Sequence, residues 1–466
     1  MRSKFDVIWI GTGQATLTVV PKLAAAGKTV AVIEGGKFGG TCVNFGCTPT
    51  KTLVASAYAV HMAGRGKDFG FSTNSLEVDF SAVMAPQVAN REATSSWIEN
   101  HLSTLDGCTV FRGYGRFVDE HTVEVAGRRL SAENIVVHTG TRPRSPEVAG
   151  AESIEWLTNE SLLDLNELPT RLLIVGGSYI ALEFAQIFRR LGSQVTVLTR
   201  GPSLLSKEDA DISALVEEIL VDEGVEMIHN CQIEQVSPRD GVTADLSVDG
   251  QPVRRVGSHL LFAIGRVPNT DRLNVDAAGL AVDDAGYLTV NDVGQTSVPN
   301  IYALGDVNGR GAFTHTAVND GEVFWDHYRR VAGANGDDPG LDRSIGERPF
   351  ISSMFTDPPL ARVGLNETQA RLSGKKTLMA TMPMSRIARA REKRETSGLV
   401  KILVDASTEQ FLGATILGTG GDEVIGAFAV AMITGASYQT FRRIVFPHPT
   451  VSELMPWCLD NLQPLS

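Results

Sequence analysis

The sequence predicts an α/β fold with two doubly wound parallel-sheet lobes and a C-terminal α+β lobe, and three observations predict it. A strand, glycine turn, helix and strand open the chain. The same unit returns at Leu172. The tail then changes to a hairpin followed by helices. At 466 residues the chain exceeds what one core supports, so two or three lobes are expected.

In the first unit Phe5 to Ile10 is an apolar strand running into "GTGQAT". A helical stretch reaches Ala26, Gly27 ends it, and a second strand from Thr29 to Ile33 closes on Glu34. This is the βαβ fingerprint of a Rossmann-like dinucleotide-binding domain. Gly11 and Gly13 permit a tight turn and close approach of a pyrophosphate to the helix N-terminus, and Glu34 can accept hydrogen bonds from a ribose. Thr16 stands where a third glycine or alanine is preferred, and Pro21 falls in the helix interior. Both departures are expected to loosen the packing of helix on strand.

In the second unit the strand Leu172 to Val175 runs into "GGSYIALE", a helix extends to Leu191, Gly192 caps it, and the strand Gln194 to Leu198 follows. Gly176 is the first glycine, Ser178 replaces the middle one and Ala181 the third. Two such units imply two dinucleotides. At the position matching Glu34 the second unit has Thr199, followed by Arg200. A carboxylate there would repel a ribose 2′-phosphate, whereas a guanidinium binds it, so NADPH is expected ahead of NADH.

Asp240-Gly241 and Asp249-Gly250 punctuate a small antiparallel meander. The polar run Asn335 to Gly346 reads as a linker. Beyond it "GLVKILVDASTEQFLGATILG" reads as a hairpin, followed by helices from Gly421 to Gly435 and from Val451 onward. The expected domains are 1–150 and 151–270 for the two nucleotide lobes, 271–340 completing the first, and 341–466 for the tail.

A net charge of −12 argues against nucleic-acid and anionic-membrane partners. The cluster "RIARAREKR", Arg386 to Arg394, holds a glutamate and no aromatic, and reads as a solvated or interface face. No apolar stretch reaches the ~18 residues of a bilayer span, and Phe5 to Ile10 begins too early for a signal peptide. A cytoplasmic location is expected, where a close cysteine pair reads as metal-binding or redox-active.

That pair lies in "GGTCVNFGCTPTK", Gly39 to Lys51, in a chain with five cysteines. Cys108, Cys231 and Cys458 are isolated and form no further ligand pair, so no metal site is expected. Across a regular helix, Cys42 and Cys47 would be separated by a rise of about 7.5 Å, beyond the roughly 7 Å that a disulfide spans. The segment must bend. Gly46 frees the backbone, and Pro49 suits the first turn of the helix that follows. A thiol at a helix N-terminus, with Lys51 one turn on, is biased toward thiolate, which favours a reversible redox pair. A flavin between nicotinamide and disulfide would connect the two-electron chemistries.

Together these motifs resemble the class I pyridine nucleotide-disulfide oxidoreductases, the flavoprotein disulfide reductases, over nearly the whole chain. The resemblance implies FAD in the first lobe and NADPH in the second. Gly11, Gly13 and Glu34 would bind the adenosine half of FAD, with Gly115 of "GYGRF" near the adenine, while Gly40 and Thr41 would line the flavin pocket. "TGTRP" (Thr139, Gly140) and "AIGRVPNT" (Gly265) resemble the connecting motifs. Asp306 of "IYALGDV" would hold the ribityl chain, and "FTHTA", with His315, would lie beside the ring. Lys51 would approach the flavin and pair with Glu183; Gly176, Ser178, Tyr179 and Arg200 would serve the nicotinamide dinucleotide.

In "FPHPTVSE" the resemblance makes His448 the acid/base that reaches the partner subunit's cysteines, oriented by Glu453, and hence implies a homodimer with shared active sites. NADPH would reduce FAD, electrons would open the disulfide at Cys47, and Cys42 would become the interchange thiol.

"GGSYIA", "VTVLTR" and "FTDPPLARVG" are most similar to the mercuric-reductase-like branch. The tail "NLQPLS" lacks the cysteine pair of mercuric reductases, with Cys458 a lone candidate substitute, and His448 stands where those enzymes usually have tyrosine. The expected acceptor is a small disulfide or a thiol-bound metal ion. The alternatives are a dihydrolipoamide dehydrogenase using NAD, and a low-turnover redox or metal sensor.

Overall fold

The computed structural model describes residues 2–73, 75–331 and 341–465. The chain forms two compact units, each assembled from separated stretches. Of the predicted linker, residues 335–340 lie outside the described residues.

The first unit comprises Met1–Thr52, Met84–Arg144 and Ile264–Arg348. Its sheet runs Cys108–Arg112, Val30–Glu34, Lys4–Ile10 and Arg128–Val137, all parallel, and Ile301–Ala303 adds a further parallel strand on Arg128–Val137. Thr122–Val125 and Arg116–Asp119 continue it antiparallel. The central strands are apolar on both faces because both are covered. Val7 and Trp9 pack with Val19, Val20, Leu23 and Phe324, whereas Phe5, Ile8 and Ile10 pack with Phe117, Ile135 and Ile301.

The opening helix, Gln14–Ala25, runs unbroken through Pro21. Thr16 corrects the expectation of loose packing. It is fully buried, its hydroxyl accepts from the Trp9 indole at 2.8 Å and donates to the Gly11 carbonyl at 3.2 Å, so the extra side chain becomes a tie between strand and helix. The helix also packs closely on Thr314–Val331, where a Cβ at Gly321 would come within 3.1 Å of Ala15.

The second unit comprises Leu53–Val83, Ser145–Ala263 and Pro349–Ser466. A parallel sheet in the order Glu226–Ile228, Gln194–Leu198, Arg171–Val175, His259–Phe262 carries the helix Tyr179–Leu191. The meander is present as Cys231–Ser237, Val242–Val248 and Gln251–Gly257, with Asp240, Gly241, Asp249 and Gly250 at positive φ in its turns.

The tail forms a six-stranded sheet containing the hairpin Leu399–Asp405 and Phe411–Leu417, and the helix Gly421–Ile433 lies on a core of Phe411, Phe428 and Phe441. Beyond Val451 the expected continuous helix is instead three short turns, Ser452–Leu454, Met455–Cys458 and Leu459–Asn461. Pro456, which lacks an N–H, forces a new helical start there. Among the described residues no helix is long and apolar enough to cross a membrane.

Both nucleotide turns rest on the same close approach. A Cβ at Gly11 would fall 2.2 Å from the His138 carbonyl oxygen, and one at Gly176 would fall 2.4 Å from that of Ala263. Both glycines also have positive φ, so no other residue fits either position.

Within the second unit, buried charges tie sheet and tail. The Lys401 ammonium, 1% exposed, donates to Asp209, Asp211 and Glu367 at 3.0, 2.8 and 2.9 Å. Arg190 pairs with Glu223 and Asp357, and Arg362 with Glu208. Removing one partner of such a buried set leaves charge on the others uncompensated. Lys401→Ala is therefore expected to lower unfolding free energy by about 3 kcal/mol, read from the urea midpoint; an unchanged midpoint contradicts this role.

Candidate active site

The cysteines sit on two successive helices, Gly40–Asn44 and Cys47–Gly64, with the bend at Phe45 and Gly46. A Cβ at Gly46 would lie 3.0 Å from the Thr41 carbonyl and 3.4 Å from the Cys42 backbone, so a bare backbone at Gly46 is what lets the second helix start against the first. Both cysteines are free thiols, and their side chains are in hydrogen-bond contact. Cys47 begins its helix and is exposed; Cys42 is half-buried.

The Thr314 hydroxyl lies 3.1 Å from the Cys47 sulfur. The Cys42 thiol is pushed far above its ordinary range, first by its hydrogen bond with Cys47, then by burial and by repulsion from charge on Cys47; Thr314 and the Lys51 ammonium act against the rise.

Around this pair the first unit builds a cradle. The first turn of the helix Gln14–Ala25 faces the glycine loop, and a Cβ at Gly40 would come within 3.1 Å of the Gly13 Cα. Glu34 accepts from the Thr12 N–H and hydroxyl at 2.9 and 2.6 Å and from the Gly36 N–H at 2.7 Å, bracing the loop from the end of its strand. Gly115 packs against Ile10, Ile33 and Val123.

The connecting motifs pair with each other as two short antiparallel strands, Thr141–Pro143 and Arg266–Pro268. Thr139 donates to the Asn269 carbonyl, and Asn269 donates back to that of Thr139. Gly140 accepts from the Asn269 N–H, and Gly265 from that of Arg144. Asp306 accepts from the Thr141 hydroxyl at 3.0 Å, and burial pushes its carboxyl up. His315 is exposed and stacks on Phe313.

Four residues here escaped sequence reading. Arg266 donates to Thr141 and Thr41. Buried Asp320 holds the Asp306 loop through the Gly305 N–H and Asn308. Thr314 reaches Cys47, and His138 sits between the glycine loops. The partners of Arg266, Thr314 and His138 lie more than a hundred residues away, and those of Asp320 lie 15 and 12 residues away across a loop; only His138, aligned on Ala263 of the second unit, left a readable signal. The glycine loop with its helix N-terminus, Glu34 at the strand end and a buried carboxylate at Asp306 fit FAD.

In the second unit Gly176 makes the nucleotide turn and Ser178 precedes the helix Tyr179–Leu191. The Tyr179 hydroxyl donates to Glu208 at 2.9 Å and lies 3.2 Å from Ser352; burial, then the Glu208 charge, push its pKa up. Buried Glu183 accepts from the Phe355 N–H at 2.8 Å. Thr199 is buried, with its hydroxyl 3.0 Å from His229, which contacts Glu217 at 2.7 Å; Arg200 beside it is exposed.

His448 is 76% exposed, and its Nδ1 lies 2.7 Å from the Glu453 carboxylate. Cys458 is buried in the tail core, and burial pushes its thiol up to about 12. The acidic group Asp209, Asp211 and Glu367 has the geometry of a cation site, and the cation it holds is Lys401. In the basic cluster, Arg389 and Lys393 pair with Glu392 and Glu395, and Arg394 lies over Phe69.

Two nucleotide turns and a paired-cysteine helix start define a flavin-linked dithiol oxidoreductase. Residues 5–321 match the family "Pyridine nucleotide-disulphide oxidoreductase", and residues 351–459 match its dimerisation domain. The chain belongs to this family, whose enzymes use FAD and NAD(P)H, and the dimerisation domain implies a homodimer.

Among relatives, a mercuric reductase of Lysinibacillus sphaericus is 33% identical over 96% of this chain and 81% of its own. The probable pyridine nucleotide-disulfide oxidoreductase RclA of Escherichia coli strain K12 is 34% identical over 97% and 98%. The solved Cu(II) complex of the HOCl-induced flavoprotein disulfide reductase RclA from Escherichia coli superposes with a TM-score of 0.87, at 32% identity, covering 99% of each chain.

A hydroxyl donating to a thiolate stabilises the charged form. Thr314→Val is expected to slow iodoacetamide alkylation of Cys47 at neutral pH about tenfold, followed by mass spectrometry of the Cys47 peptide; an unaltered rate would show that the hydroxyl does not support the thiolate.

Proposed function

We propose that this flavoprotein passes electrons from NADPH to a small disulfide or to a thiol-bound metal ion, in the manner of mercuric and copper reductases. On this reading residues 1–150 and 271–340 hold FAD, 151–270 hold NADPH, and 341–466 pair two subunits. FAD, when bound, supplies the transfer of two electrons from nicotinamide to the cysteine pair.

The observation that carries the acceptor assignment is the vicinal dithiol itself. Two sulfurs in contact, one exposed at a helix N-terminus and one half-buried, suit both thiol–disulfide exchange and soft-metal ligation. The copper complex of the structurally similar RclA supports a metal acceptor. Cys42 is the interchange thiol. His448, held by Glu453 through Nδ1, has its Nε2 left to move the proton. Arg200, exposed next to a neutral Thr199, supports the choice of NADPH.

Stopped-flow reduction with NADPH or NADH, followed by glutathione disulfide, lipoamide, Hg(II) or Cu(II), tests the reading through flavin reoxidation. NADH preference with lipoamide turnover would replace it with the dehydrogenase, and no reoxidation by any acceptor would replace it with a sensor. Cys42→Ser is expected to keep NADPH-dependent flavin reduction and lose acceptor turnover; full turnover in that variant refutes the interchange role.

A further inference from the structure

His138 is buried just past the end of its strand, wedged between the two glycine loops of the first unit. A Cβ at Gly13 would fall 2.6 Å from its Nε2, and one at Gly305 would fall 2.8 Å from its Cε1. Its edge also packs against Trp9.

The hydrogen bonds assign the tautomer. Nδ1 lies 2.7 Å from the Leu304 carbonyl oxygen, which can only accept, so Nδ1 carries the proton. Nε2 then presents a lone pair, and the Ala15 N–H donates to it at 3.3 Å. Ala15 lies in the first turn of the helix Gln14–Ala25, and Leu304 immediately precedes Gly305 and Asp306. The imidazole thus bridges the loop that seats a pyrophosphate and the loop that carries the ribityl carboxylate.

The second unit supplies an internal control. Its residue in the same register is Ala263, whose carbonyl meets Gly176 as that of His138 meets Gly11, and whose N–H donates to Val175 as that of His138 donates to Ile10. Opposite Ala263 the middle glycine is Ser178. A side chain is tolerated where no ring fills the space, and excluded at Gly13 where one does. The bridge is therefore specific to the first unit.

We infer that His138 is a positioning residue for FAD: its neutral, Nδ1-protonated imidazole pins the pyrophosphate loop to the Asp306 loop, so that the two anchoring points are set before the cofactor enters. Burial holds the imidazole in its neutral form, against the opposing negative charges of Asp306, Asp320 and Glu34.

The test titrates FAD into flavin-stripped protein, followed by fluorescence quenching, for wild type, His138→Leu and His138→Gln. Leucine fills the space without polar atoms and is expected to weaken FAD binding about tenfold or more; glutamine, which can accept from the Ala15 N–H, is expected to recover most of the loss. Leucine binding like wild type, or glutamine as weak as leucine, overturns the inference. Nitrogen-15 NMR of the intact wild type reads the tautomer without any variant: Nδ1–H supports the bridge, and Nε2–H overturns it. A wild type that binds no FAD would overturn the cofactor assignment as well, which distinguishes that failure from failure of His138 alone.

Discussion

A carbonyl oxygen stands within van der Waals contact of Gly11, and another within contact of Gly176. The rest of the architecture depends on these two approaches. Each lets a strand turn into a helix while the neighbouring strand's end, at His138 or Ala263, closes against the turn. The helix N-terminus is thereby fixed at the carboxyl end of the sheet, where unpaired N–H groups and the helix dipole favour a phosphate. Had the turns been wider, neither Glu34 in the first unit nor Arg200 in the second would stand at a strand end beside its loop.

The cysteine pair depends on the same economy of space. Gly46 lets one helix end and another begin against the Thr41 carbonyl, which brings together two sulfurs that a continuous helix would separate. Once in contact they cannot ionise independently. The hydrogen bond with Cys47, then burial and charge on Cys47, push the Cys42 thiol up, while Thr314 and Lys51 act against the rise. The asymmetry between the two sulfurs is thus a property of position.

Departures from the sequence fingerprint have local explanations. Thr16 takes the place of a small residue by turning its hydroxyl into a hydrogen-bonded tie between Trp9 and the Gly11 carbonyl. Ser178 replaces a glycine because Ala263 leaves room, whereas Gly13 faces an imidazole. Pro21 is carried inside its helix without a break, held in a helix buried along one face by Val19, Val20 and Leu23.

The sequence by itself determined the two nucleotide units, the hairpin tail and the paired cysteines, because strand periodicity, glycine turns and helix-start signals are local and survive in a single chain. The contact of His448 with Glu453 was legible only through the resemblance of "FPHPTVSE" to its family. Only the tertiary structure decided what meets the sulfurs and the loops. Thr314 reaches Cys47, Leu304 reaches His138, Asp306 reaches Thr141, and Lys401 rests in three carboxylates. Those contacts join residues far apart in the chain, and hydrogen-bond geometry has no period in sequence from which it could have been read.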